Sequence, residues 1–242
     1  MSIEQSTYSV LEEFSQHDPD LIKRNVAQVD LSWVAQQQGG EEIENKDIPF
    51  ILEQLKWEVT RLANGRINNS TLDRVRKMVG GWHITPFYGL ADRAQIDYFR
   101  FKPTNPTADW KKSGKVQKYL GAVGESPRAY CPNVSEALWV TIAARYGVEK
   151  SGDNFWGWIL THPDIPVIIT EGEKKAYAGL AAGYAVLSLP GIDCGYKSSS
   201  ENDDGSGSQL SLIPDLEILA QGGRNIYIPH SALQFLRKAI HS

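Results

Sequence analysis

Cysteine is nearly absent. Cys131 and Cys194 are the only two in 242 residues, and neither has another Cys or a His close by at zinc-ligand spacing. This argues against a disulfide framework and a finger-type zinc site, and leaves two thiols expected to be buried. No stretch approaches the roughly 18 consecutive apolar residues that a membrane-spanning helix needs. Residues 1–16 carry Glu4, Glu12 and Glu13 where a secretion signal would have a basic start and an apolar core. The expectation is a cytoplasmic protein with no membrane partner. Neither G-x-x-x-x-G-K-[ST] nor G-x-G-x-x-G occurs, which removes support for the usual nucleotide-dependent enzymes. Positive charge is not in excess either: 25 Lys and Arg against 29 Asp and Glu give a net charge of -4. Such a chain does not coat nucleic acid as a polycation, so any contact of that kind needs local basic patches.

What is present is the composition of an ordinary globular protein, with 41% hydrophobic, 22% charged and 10% aromatic residues. The length accommodates one large domain or two small ones with a sizeable core. Residues 1–47 are polar and weakly patterned, with a Gln-Gln-Gln-Gly-Gly run at 36–40 followed by Glu41 and Glu42. Ile51, Leu55, Val59 and Leu62 recur at helical spacing up to Gly65, and Ser70 or Thr71 is placed to cap a second helix reaching Val79, before Gly80 and Gly81. Residues 1–80 therefore read as a helical, partly flexible amino-terminal region. From 81 to 150 the chain reads as a small β-rich subdomain: β-formers fill 95–102, further short strands fit 116–120 and 128–131, and residues 103–114 form a loop with two prolines. One helix, 136–146, is capped by Ser135 and stopped by Gly147.

Beyond Pro163 the pattern alternates regularly. Strand 167–170, helix 173–182, strand 185–189, helix 209–220 and strand 225–228 make βαβαβ. The fold class expected is thus α/β in this core and α+β over the whole chain, with parallel strands joined by helical crossovers. The core spans 163–242. Within it, Val167-Ile168-Ile169-Thr170 is the apolar, branched run of a strand buried on both faces, Gly172 permits a sharp turn, and Glu171 lies where strand becomes helix. Ligand sites in open parallel sheets lie at this carboxyl edge. A carboxylate there can hold a metal or move a proton, or it can simply complement a helix dipole.

Two modest basic patches contain aromatics. Arg74, Arg76 and Lys77 precede Trp82, and Lys111, Lys112, Lys115 and Lys118 surround Trp110 and Tyr119. Such interleaving can grip phosphates and stack bases, or it can be a solvated loop with a few packed rings.

The run Ile168-Ile169-Thr170-Glu171-Gly172-Glu173-Lys174-Lys175-Ala176, then Leu189-Pro190-Gly191, Pro214-Asp215-Leu216 and Arg224-Asn225-Ile226-Tyr227-Ile228, resembles the Toprim-like domains of plasmid and phage replication proteins. More closely it resembles an uncharacterised Toprim-containing family whose members sit beside, or are fused to, primase and helicase modules. The likeness extends upstream through Phe99-Arg100-Phe101-Lys102-Pro103, Lys118-Tyr119 and Ala129-Tyr130-Cys131-Pro132. The resemblance implies a primase-type, magnesium-dependent nucleotidyl-transfer or nuclease domain acting on single-stranded or duplex DNA, with a helicase partner. Glu171 would be its general acid or base, and Lys174 and Lys175 its phosphate contacts. The family's later strand ends in Asp-x-Asp. Here Ile228 is followed by Pro229-His230-Ser231, so the expectation is an impaired or truncated member. Asp193 and, less rigidly placed, Asp203 and Asp204 are the carboxylates available to join Glu171 on a metal, and His230 is a poor magnesium ligand. Two other functions stay open: a noncatalytic nucleic-acid-binding remnant, and an unrelated small-ligand α/β domain.

Overall fold

A computed structural model of the chain describes residues 20, 24, 27–28, 55–56, 60–66, 68–71, 82–84, 87–102, 118–191, 193–198 and 210–228. The fold is α+β, and its parallel sheet has three strands. The chain divides into two compact units that interleave in sequence.

The first unit comprises residues 1–15, 26–86 and 97–125. Its sheet is antiparallel, in the order β1 (Ala27–Gln28), β2 (Trp82–Ile84), β5 (Arg100–Lys102), β6 (Leu120–Gly121). Phe101 pairs with Leu120 across β5 and β6, and both are buried, as is Phe99. Lys56 forms ion pairs with Glu125 and Asp97.

Of the helix expected up to Gly65, the described residues 55–56 and 60–65 are not helical. Leu55 and Lys56 form a turn with Lys56 at φ 54°, and a second turn closes through Leu62 N–H to Arg66 O at 2.7 Å and Gly65 N–H to Leu62 O at 2.9 Å. Asn64-Gly65 is turn chemistry, and Leu62, one of the four apolar residues at helical spacing, is 47% exposed. Residues 69–71 are helical, but the cap is Asn68, whose Oδ1 accepts from Thr71 N at 2.9 Å, and not Ser70 or Thr71. The continuation to Val79 lies outside the described residues.

The second unit comprises residues 16–25, 87–96 and 126–242. It begins with a hairpin of β3 (Phe87–Tyr88) and β4 (Gln95–Ile96). Helix α1 (Glu136–Tyr146) follows the sequence expectation at both ends: Ser135 Oγ accepts from Leu138 N at 3.3 Å, and Gly147 closes the helix at φ 65°. Helix α2 (Phe155–Thr161) has no counterpart in the sequence reading. Phe155, Trp156, Trp158 and Ile159 are all buried, so it lacks the polar stripe that marks an amphipathic helix. Its rings pack with Trp139 of α1 at centroid separations of 6.2 Å to Phe155 and 5.8 Å to Trp158.

The parallel sheet follows, with β7 (Val167–Glu171) in the middle, β8 (Val186–Leu189) on one side and β11 (Ile226–Tyr227) on the other. Helix α3 (Glu173–Ala181) connects β7 to β8. It approaches β8 closely because Gly179 lacks a side chain: a Cβ there would lie 2.5 Å from Val186 Cγ2. All four β8 residues are buried, which explains their unbroken apolar and small character.

The single helix expected over 209–220 is instead a strand and a shorter helix. Tyr196–Ser198 (β9) pairs antiparallel with Leu210–Leu212 (β10), and α4 starts only at Pro214, running to Leu219. Pro214 sits at the first turn, where its fixed φ and missing N–H start a helix but would break one already under way. Arg224 then returns the chain to β11. Its guanidinium donates to the carbonyls of Ile159 at 2.6 Å, Ile165 at 2.6 Å and His162 at 3.0 Å, capping the carboxyl end of α2 with a cation. Among the described residues no helix is long and apolar enough to cross a membrane.

Candidate functional site at the end of the central strand

Strand β7 carries Glu171 to the carboxyl edge of the sheet, paired in register with Leu189 of β8. One connection leaves β7 for β8, and the next returns past it to β11, so the central strand lies beside the point where crossovers diverge. The strand interior is buried and Glu171 itself is exposed. Gly172 then turns the backbone at φ 83°, ψ 142°, and its N–H donates to Leu189 O at 3.0 Å. A Cβ on Gly172 would touch nothing, so glycine is required here for its backbone conformation and not for space.

The two glutamates of the motif have opposite surroundings. Glu171 is exposed, whereas Glu173 at the start of α3 is 1% exposed. Glu173 lies near a pair of buried phenols, Tyr130 and Tyr177, whose hydroxyls are 2.8 Å apart. The Tyr130 hydroxyl is held well above the usual tyrosine range, first by burial, then by Tyr177, and also by the charge of Glu173. Tyr130 is fixed in turn by a bridge to β8, donating its N–H to Ser188 O at 2.7 Å and accepting from Ser188 N at 3.1 Å. The sequence reading missed Glu173, Tyr130 and Tyr177 as a group. The available signal was the four-residue spacing of Glu173 and Tyr177 on one helix face.

Of the expected phosphate contacts, Lys174 is half-buried and Lys175 exposed in the first turn of α3, and Lys118 is exposed in the first unit. Lys111, Lys112 and Lys115 lie outside the described residues, as do Asp203, Asp204 and His230. Asp193 is exposed in the turn that follows β8. Among the described residues no three His, Cys, Asp or Glu side chains are grouped so as to hold a metal ion. Magnesium is held by one or two carboxylates plus substrate phosphates, or by a fuller oxygen cage. The described residues do not form such a cage, so they do not fit a magnesium site made by the protein alone.

Asp215, at the start of α4, is engaged elsewhere. It accepts two bonds from the Arg128 guanidinium, both at 2.9 Å, and one from Ala129 N at 3.1 Å. Next to this pair, burial pushes the Cys131 thiol far up, and Asp215 adds to the shift. The expectation of a buried thiol therefore holds for Cys131, while Cys194 is partly exposed. A thiolate-dependent reagent such as Ellman's should modify one thiol in the native protein at pH 8 and two after denaturation. Rapid native modification of both would contradict the burial of Cys131.

The fold and the site together describe an α/β unit with an exposed acid at the end of its central parallel strand. Residues 155–232 match DUF3854, a domain of unknown function. Over 172 residues the chain is 35% identical to an uncharacterised protein of Picosynechococcus sp. (strain ATCC 27264 / PCC 7002 / PR-6), an alignment covering 69% of this chain and 17% of that protein. The chain thus spans about 17% of the length of the curated relative it matches. No solved structure matches it.

Proposed function

We propose that the chain is a Toprim-like, nucleic-acid-binding part of a primase-type replication protein, and that the carboxyl edge of its parallel sheet meets the sugar-phosphate backbone. The observation carrying this reading is the exposed Glu171 at the end of the central strand, followed one turn later by Lys174 and Lys175. An acid beside two cations suits a phosphodiester, because the lysines neutralise the phosphate while the carboxylate stays free to exchange a proton with a sugar hydroxyl. The likeness of the Glu-Gly-Glu-Lys-Lys run to Toprim-like domains supports the same assignment. No step is routed through magnesium, since no three ligating side chains are grouped to hold it among the described residues.

Titration of single-stranded and duplex DNA over a salt series tests binding. The slope of log K against log salt should fall by about 1 for each of Lys174→Ala and Lys175→Ala. Absent or salt-insensitive binding would remove the nucleic-acid assignment altogether. Primer synthesis or strand cleavage assayed with magnesium then tests the role of Glu171, because activity left intact in Glu171→Gln would exclude it as acid or base.

A further inference from the structure

A second feature of the same unit lies outside the strand-end site. A cavity of about 320 Å³ opens between the first turns of α1 and α2, lined among others by Arg93, Asn133, Glu136, Trp139, Asp153 and Asn154. That volume is at the lower end of the range for small-molecule sites.

Arg93 is the unusual group in its wall. Its guanidinium is half-buried, and its partners among the described residues are neutral: Asn133 Oδ1 at 2.6 Å, Cys131 O at 3.4 Å and the Tyr88 ring, whose centroid is 4.8 Å away. The other arginines of this unit with described partners are differently placed. Arg128 has Asp215, Arg24 at the cavity rim has Asp20 at 2.8 Å, Arg224 is spent on three carbonyls, and Arg145 lies over Tyr184 at the surface. Burial lowers the Arg93 pKa, the sign of a cation short of counter-charge.

The position is also rigidly set. Arg93 lies in the β3–β4 turn at φ 55°, unfavourable for a side chain of its kind, and the turn is closed by Arg93 N–H to Gly89 O at 3.2 Å and Gly89 N–H to Ala94 O at 2.8 Å. The wall holds one further group that favours an anion: the first turn of the eleven-residue α1, with its amides and the positive end of its dipole. The acids present are weak opposition. Glu136 is held by Lys150 at 2.6 Å, and Asp153 is exposed at the rim, where water reduces its repulsion of an anion to a small but non-zero effect.

We propose that this cavity binds a small organic phosphate, with the phosphate oxygens on the Arg93 guanidinium and the organic body filling the remaining volume. The volume exceeds what one phosphate needs, so the ligand carries a sugar- or nucleoside-sized group. This site is separate from the one at Glu171, and its fate in the following test does not depend on DNA binding.

Calorimetric titration of the full chain with inorganic phosphate, ribose 5-phosphate, AMP and adenosine tests the proposal. At least one of the two organic phosphates should bind more tightly than inorganic phosphate, and adenosine should not bind. Arg93→Gln should weaken that binding at least about tenfold, the usual scale for a charge-assisted pair. Because Arg93 also braces its turn, Asp153→Asn provides a variant free of that burden: removing an exposed negative charge from the rim should tighten binding about threefold. The proposal is overturned if neither organic phosphate binds, if adenosine binds as tightly as AMP, or if binding is unchanged in a folded Arg93→Gln. It is equally overturned if Asp153→Asn leaves the affinity unaltered or weaker.

Discussion

Asp215→Ala is expected to destabilise the protein by about 3–5 kcal/mol, the usual cost of removing one partner from a buried ion pair. The Asp215 side chain is 3% exposed and that of Arg128 26%, so the pair is mostly shielded from the water that makes surface bridges weak. Both Asp215 oxygens are used, two bonds going to the fork of Arg128 and one to the Ala129 amide. Alanine would leave the guanidinium without its anion and the buried Ala129 N–H without an acceptor. The consequence would spread, because Ala129 precedes Tyr130, which bridges to Ser188 in β8. Asp215→Asn keeps the volume and one acceptor, so it should cost roughly half as much. Urea unfolding measures both, and a loss below about 1 kcal/mol for Asp215→Ala would show that the pair does little for stability.

The sequence made some of this legible and concealed the rest for identifiable reasons. Helix α1 was readable at both ends because its signals are local: a serine cap, a helical run and a glycine. Strands β7 and β8 were readable because a strand buried on both faces is a short branched-apolar run, and the placement of Glu171 followed from the glycine after it. The failures came where local pattern and tertiary context disagree. The apolar residues from Ile51 to Leu62 had helical spacing, yet among the described ones Leu55 is buried in a turn while Leu62 is exposed beside the Asn64-Gly65 turn, so these two do not share one buried helix face. At 209–214 the helical reading ran through a residue that starts helices, when the strand before it is defined only by its partner Tyr196–Ser198. Helix α2 offered no periodicity because nearly every side is covered.

The candidate site divides in the same way. Glu171 could be placed from its neighbours in sequence, but the contrast between an exposed Glu171 and a buried Glu173 depends on Tyr130, more than forty residues upstream on the bridge to β8. The cavity was wholly hidden. Arg93, Asn133 and Asn154 are separated by tens of residues, and each alone reads as an ordinary polar residue at a turn or a helix start.

Trp156 connects that cavity to the core, and Trp156→Ala is expected to cost about 3–5 kcal/mol, the range for deleting a large buried aromatic. The side chain is 1% exposed, its ring lies 5.0 Å from that of Phe155, and its Nε1–H donates to Pro132 O at 2.9 Å. Two terms therefore add: the lost apolar contact with the void it leaves, and a buried carbonyl without its donor. Trp156→Phe separates them, retaining most of the apolar volume and giving up the hydrogen bond, and should cost about 1–3 kcal/mol. Pro132 stands between Cys131 and Asn133, the two residues whose oxygens hold Arg93. Loosening Pro132 should therefore disturb the guanidinium as well as the fold. If Arg93 is the anion-binding group, Trp156→Phe should weaken organic phosphate binding at temperatures where the variant is still fully folded by circular dichroism. If the phenylalanine variant matches the original protein in stability, the indole hydrogen bond is not part of what holds residues 131–133 in place.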